Sequence, residues 1–235
     1  TFRGITWDGT QFIAAGQDYN FTIAAWVGLI YTSPDGVTWT RRYRPDVANT
    51  ALNGITTNGS VSIAVGDSGT VLRSTNSIDW SVVTISGLGT PTVKGVAWGD
   101  DVFALTAYSS GNGTGRVFTS SDGSSWVDRS SGIGVASWQD LRKIAWLKDR
   151  FVASGWYSSL RTSTDSAQSF TTNRPQTEET PAMAYGDGIF FAAGVNYSNG
   201  SADVDLLSQD GVTWYTFAAP TTNDRNGAVF FKHTL

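Results

Sequence analysis

The stretch Thr32 to Trp39 reads TSPDGVTW, and close copies return as TSSDGSSW at 119–126 and LSQDGVTW at 207–214. Two looser copies complete the series, STNSIDW at 74–80 and STDSAQSF at 163–170. Their closing aromatics, Trp39, Trp80, Trp126, Phe170 and Trp214, are spaced by 41, 46, 44 and 44 residues. A self-similar unit of roughly this length lies in the period range of propeller blades.

A second phrase precedes each copy: GITWDG at 4–9, GITTNG at 54–59, GVAWGD at 95–100, KIAWLKD at 143–149 and MAYGDG at 183–188. An apolar run such as QFIAAG, VSIAVG or RFVASG follows it. Each unit therefore reads as strand A, a tight Asp/Asn/Gly turn, strand B, a loop, strand C ending in Ser, the quoted turn, and strand D opening at the aromatic. Strands A and B are apolar almost throughout, as expected of strands packed on both faces. Four short antiparallel strands per unit define an all-β fold, a five-bladed β-propeller forming one domain. The units fall at roughly 1–50, 51–92, 93–140, 141–180 and 181–225. The tail NGAVFFKH at 226–233 looks like a sixth strand A, and 226–235 is expected to close the ring.

Within the quoted turn the residue types have separate tasks. Asp35 accepts backbone N–H groups, Gly36 takes a positive φ, Ser33 ties strand C to the turn, and Trp39 is delivered to the wedge between blades. The same tasks fall to Ser74, Asn76 and Trp80; to Ser120, Asp122, Gly123 and Trp126; to Ser163, Asp165 and Phe170; and to Ser208, Asp210, Gly211 and Trp214.

These residues resemble the Asp-box, Ser-x-Asp-x-Gly-x-Thr-Trp, of the sialidase-like BNR-repeat propellers. Four copies are one residue shorter between Ser and the aromatic, Asn76 replaces Asp, and only 163–170 keeps the family spacing, with Ala167 where Gly is expected. The resemblance implies fold, because in that family the box lies on the face away from the active site. Units of this kind also look like the repeat regions of phage tail or decoration proteins and of secreted bacterial adhesins.

Composition narrows the function. The formal charge is −4 and the one cluster of arginines, Arg41, Arg42 and Arg44, is followed at once by Pro45-Asp46, so no basic footprint for nucleic acid is present. There is no Cys, which excludes disulfides, thiolate metal sites and a Cys nucleophile. The single His233 excludes multi-His metal sites and disfavours a Ser-His-Asp triad. No cofactor is expected. No apolar run is long enough to cross a bilayer, and the chain opens at Thr1 without a basic-then-apolar leader, so the expectation is a soluble chain, processed or excised from something longer.

Function is expected on the face carrying the B–C and D–A loops, since these differ from unit to unit while the turns of the opposite face are alike. The B–C segments run 17–28, 108–116 and 195–205 in units one, three and five, but only DSGT and WYSS in units two and four. They offer Tyr19, Asn20, Trp26, Tyr108, Asn112, Trp156, Tyr157, Asn196 and Tyr197, and the D–A loop before unit four adds Trp138. Aromatic faces beside amides suit sugars, whose C–H patches stack and whose hydroxyls hydrogen-bond. The leading expectation is a non-enzymatic, extracellular or virion-surface propeller that recognises a glycan or another cell-surface receptor. The alternatives are a sialidase-like glycoside hydrolase and a structural module that binds another virion or surface subunit.

No catalytic set emerges by motif. Arg3 in TFRGI does not carry over as a triad arginine, since the family's Arg-Ile-Pro opening is missing. Asp100-Asp101 and Glu178-Glu179 are adjacent rather than convergent, and DVD at 203–205 is a weak calcium signal. Five Asn-x-Ser/Thr sequons, at Asn20, Asn58, Asn112, Asn196 and Asn199, fall in expected turns and loops.

Overall fold

The computed structural model describes residues 1–108, 115–133, 141–155, 160–174, 179–195 and 204–218. Among these residues twenty strands form five sheets of four, each an antiparallel meander in chain order. The first blade holds β1 (Phe2–Trp7), β2 (Phe12–Asn20), β3 (Ala25–Ser33) and β4 (Thr40–Tyr43). The second holds β5 (Leu52–Thr57), β6 (Ser62–Gly66), β7 (Val71–Ser74) and β8 (Ser81–Val82). The third holds β9 (Thr92–Gly99), β10 (Val102–Tyr108), β11 (Gly115–Ser120) and β12 (Val127–Asp128). The fourth holds β13 (Lys143–Leu147), β14 (Arg150–Ser154), β15 (Leu160–Ser163) and β16 (Thr171–Arg174). The fifth holds β17 (Glu179–Gly186), β18 (Ile189–Val195), β19 (Val204–Ser208) and β20 (Tyr215–Ala218). This is the five-bladed β-propeller expected from the repeat.

The inner strands touch in succession, β1 with β5, β5 with β9, β9 with β13 and β13 with β17. Between blades the wedge is filled as the repeat requires. Ile13, Ala15 and Ile30 of blade one meet Leu52, Ile55 and Leu72 of blade two, with Trp80 against them. The next three wedges receive Trp126, Phe170 and Trp214 in the same place. Phe103, Phe151 and Phe190 at the start of strand B are fully buried, each contributing roughly 2–3 kcal/mol through burial.

The repeated turn works as its residue types demand. Asp35 Oδ1 accepts the Val37 and Thr38 N–H groups at 2.8 and 2.7 Å, the Ser33 hydroxyl donates to it at 2.9 Å, and Gly36 sits at φ +74°. The Thr38 and Val37 N–H groups, together with the Ser33 hydroxyl, hold the Asp35 carboxyl at about 2. Asn76 reproduces the acceptor, taking Ile78 and Asp79 N–H at 2.9 Å. In the longer fourth copy, Asp165 Oδ1 reaches Gln168 and Ser169 instead, and Ser166 and Ala167 both adopt φ +59° to absorb the extra residue. Box and A–B turns share one face and lace neighbouring blades together, as in Ser166 Oγ to Asp100 Oδ2 at 2.7 Å.

Candidate functional site: the arm and the axial bulges

The opposite face begins at a defect repeated in the inner strands. The register of β1 on β2 skips Arg3, that of β5 on β6 skips Asn53, and that of β9 on β10 skips Lys94. A β-bulge of this kind bends the strand and re-aims the extra residue's side chain. Arg142 precedes Lys143, the first residue of β13, and so holds the corresponding place in blade four. Polar side chains thus gather at the inner rim of three blades and at the entry to a fourth.

They form a chain of contacts. Arg3 donates to Asn53 Oδ1 with one guanidinium nitrogen and to Gln17 Oε1 with the other, the latter at 2.8 Å. Asn53 Nδ2 donates to Asp67 Oδ1 at 2.8 Å and to the Val93 carbonyl at 3.0 Å. Lys94 Nζ lies 3.9 Å from the same Asp67 oxygen. Burial pushes the Lys94 amine below its ordinary value; Asp67 opposes that shift, while the charges of Arg3, Arg142 and Lys143 add to it. An acidic protein thus carries a cationic inner rim.

Over this floor rises the hairpin of blade one. β2 and β3 are nine residues each, the longest strands among the described residues, so 17–28 is mostly strand and not the loop expected from sequence. Ile13, Ala15, Gln17 and Tyr19 alternate onto one side of β2, and that side faces blade two, where Ile13 and Ala15 join the shared core. Tyr19 is paired directly with Trp26, ring centroids 5.4 Å apart and planes at 74°, while Phe21 meets Tyr19 at 5.0 Å. Trp26 remains 46% exposed and Phe21 87%. Blade two answers with only a single 3₁₀ turn, Asp67–Gly69, so the aromatic arm overhangs a low step.

Asn20 is not on the open surface. It is buried, donating from Nδ2 to Asp46 at 2.7 Å and accepting the Thr22 N–H at 3.0 Å, which braces the arm and leaves that amide nitrogen committed. Arg44 adds a second brace through Asp18 at 3.2 Å. Asn58, another sequon, caps its own A–B turn. Tyr108 ends β10 with the Arg142 guanidinium 5.4 Å from its ring centre, on the same rim. Asn112, Trp138, Trp156, Tyr157, Asn196 and Tyr197 lie outside the described residues, as do Glu178, Asp203, His233 and the expected closing strand 226–235. Asp100 and Asp101 sit in a positive-φ turn on the box face, away from this rim.

Sequence reasoning missed Arg3, Gln17, Asn53, Asp67 and Lys94. The signal lay in RGIT, NGIT, KGVA and RKIA, where the repeat places a polar residue just before the inner-strand core.

No protein-family model matches the chain, and a comparison with curated proteins gives no match. Solved structures do. The chain is similar to YCF48 bound to D1 peptide, with TM-score 0.59, 16% identity, and 92% of this chain against 66% of that one, so it spans about two thirds of that relative. It is similar to YjhT with TM-score 0.61 and 8% identity over 91% of this chain and 82% of that one. A computationally designed protein, Ika8, superimposes with TM-score 0.55 and 10% identity, covering 95% and 72% of the two chains. YCF48 and YjhT are β-propellers, and at these identities the likeness concerns the fold.

Proposed function

We propose that the protein is a non-enzymatic recognition propeller, acting outside the cell or on a virion surface, that binds a glycan on its B–C and D–A loop face. The observation that carries this reading is the open Tyr19–Trp26 pair standing over the Arg3–Gln17–Asn53–Asp67–Lys94 floor. A pyranose laid on the indole would place its ring hydroxyls toward amides and charged groups below. The cationic members favour a sugar that carries a carboxylate.

Support for binding without catalysis comes from how the carboxylates of this rim are used. Asp18 and Asp46 brace the arm, and Asp67 is tied to Asn53 and Lys94. None of these is poised as a free acid–base pair. Affinity per site would be low, with strength arising from several copies on one particle.

A second reading, docking of a protein subunit or peptide, is favoured by the apolar tip itself, where Phe21, Ile23 and Trp26 are all exposed. YCF48, one of the similar structures, was solved with a peptide. A glycan array probed with multivalent protein separates the two. Binding to acidic glycans that disappears in Trp26→Ala supports the first reading. A well-folded wild type that ignores every glycan overturns it.

A further inference from the structure

Equivalent residues of successive blades should be buried alike, and in one blade they are not. Ile55, Val96 and Ile144 stand at the same inner-strand position and are 7–9% exposed, whereas Ile5 is 61% exposed. Phe103, Phe151 and Phe190 are fully buried, but their counterpart Phe12 is only half-buried. Leu72, Phe118 and Leu206 are fully buried, and Tyr31 in that place is half-buried. Phe2 and Trp7 add 52% and 46% exposed aromatics. Core clusters fill the wedges from blade one through blade five, and among the described residues none joins blade five back to blade one. This side of blade one has the composition of an interface, and among the described residues nothing covers it.

The face is shaped as well as apolar. Phe2, Arg3, Gly4, Ile5, Ala14 and Trp39 bound a hollow of about 310 Å³. In the first three wedges, the inner-strand position that meets the next blade's Ile or Val is glycine. A Cβ on Gly4 would come 3.3 Å from Ile55, one on Gly54 would sit 3.7 Å from Val96, and one on Gly95 would fall 2.9 Å from the Ile144 nitrogen. Lys143 and Ala182 hold that place in blades four and five.

We infer that the uncovered face of blade one is the docking surface for the chain's own segment 226–233, seated as a sixth inner strand with Gly227 against Ile5. The segment's phrase Asn226-Gly227-Ala228-Val229 parallels Asn53-Gly54-Ile55-Thr56, and it supplies the glycine that an inner strand needs beside an isoleucine. Val229, Phe230 and Phe231 supply apolar volume for the hollow. The chain thereby staples its last blade to its first around the axis.

Because the protein has no Cys, an engineered pair reports the contact cleanly. The double variant Ile5→Cys/Gly227→Cys is oxidised with diamide beside a control, Gly4→Cys/Ile55→Cys, whose positions are already neighbours. The expected result is an intramolecular disulfide formed as fast as in the control, seen by peptide mapping and a mobility shift. Covalent dimers would assign the face to a second copy and overturn the proposal. No bond while the control closes overturns it equally. Should the cysteine variants fail to fold, hydrogen exchange on the native chain and on a chain ending at Arg225 decides the matter. At least a tenfold loss of protection across β1 is expected on truncation, and unchanged protection overturns the proposal.

Discussion

Asn53 donates through one amide nitrogen to two acceptors from different parts of the ring, Asp67 at 2.8 Å within its own blade and the Val93 carbonyl of blade three at 3.0 Å. Its oxygen meanwhile accepts a hydrogen bond from the Arg3 guanidinium of blade one. A buried amide satisfied in this way fixes three blades relative to one another. In Asn53→Leu the Val93 carbonyl and Asp67 lose their donor and Arg3 its acceptor. The expected loss is about 2–3 kcal/mol, measured by urea unfolding followed by tryptophan fluorescence. Asn53→Asp keeps the acceptor for Arg3 but sets a carboxylate oxygen against Asp67 and the Val93 carbonyl, so at neutral pH it should cost at least as much as Asn53→Leu.

The aromatic arm predicts the opposite pattern, large effects on binding with small ones on stability. Trp26 is half exposed and its contacts are with Tyr19 at the hairpin tip, so Trp26→Ala should cost no more than about 1 kcal/mol of stability. Binding to immobilised acidic glycan should fall at least tenfold. Arg3→Gln should weaken binding to carboxylated sugars while sparing neutral ones, and salt should weaken the wild-type interaction in the same selective manner.

Most of the fold was legible because the repeat constrains it five times over. The spacing of the repeated turn placed strand ends, turn and wedge aromatic without any tertiary information, and even the copy carrying Asn76 obeyed. What sequence did not show was register. Nothing in QDYNFTIAAWVG distinguishes a twelve-residue loop from a long hairpin until Tyr19 is seen opposite Trp26. The bulges at Arg3, Asn53 and Lys94 were equally silent, because an unpaired residue inside a strand leaves the apolar pattern intact to within one position. Asn20 was misplaced for a similar reason: a polar residue beside a turn reads as exposed, and only the fold brings Asp46 against it.

Acid should loosen the ring from its box face. The Ser125 and Ser124 N–H groups hold the Asp122 carboxyl at about 2, and the Asp35 carboxyl is held at about 2 by its own turn. Both are depressed in the fold, so the stability they add is complete above the unfolded value near 3.8 and is lost as pH falls from about 4 through 2. A circular-dichroism titration should show stability flat from pH 7 to 5 and declining below 4. Asp122→Asn should retain most of the turn, as Asn76 does natively, and should lessen the acid sensitivity. Asp122→Ala should lose about 1 kcal/mol at neutral pH.

Gly66 links the scaffold to the rim directly. Its backbone is extended, so the constraint is steric: a Cβ there would lie 2.3 Å from the Ala51 carbonyl and 3.1 Å from the Leu52 Cα. The obstructing atoms are backbone and cannot rotate away, so Gly66→Ala must push β5 outward, at a cost of roughly 1–3 kcal/mol. The displacement acts one residue from Asp67, whose N–H donates to that same Ala51 carbonyl at 2.9 Å. Asp67 would then move relative to Asn53 and Lys94, and the floor beneath the arm would shift with it. Gly66→Ala is therefore expected to lower both the unfolding midpoint and the affinity for acidic glycan, the latter at a temperature where the variant is still folded. Thr57→Ala, at the far end of β5 from Leu52, should lower only the midpoint. Equal loss of binding in the two would mean that Asp67 is not part of the recognition surface.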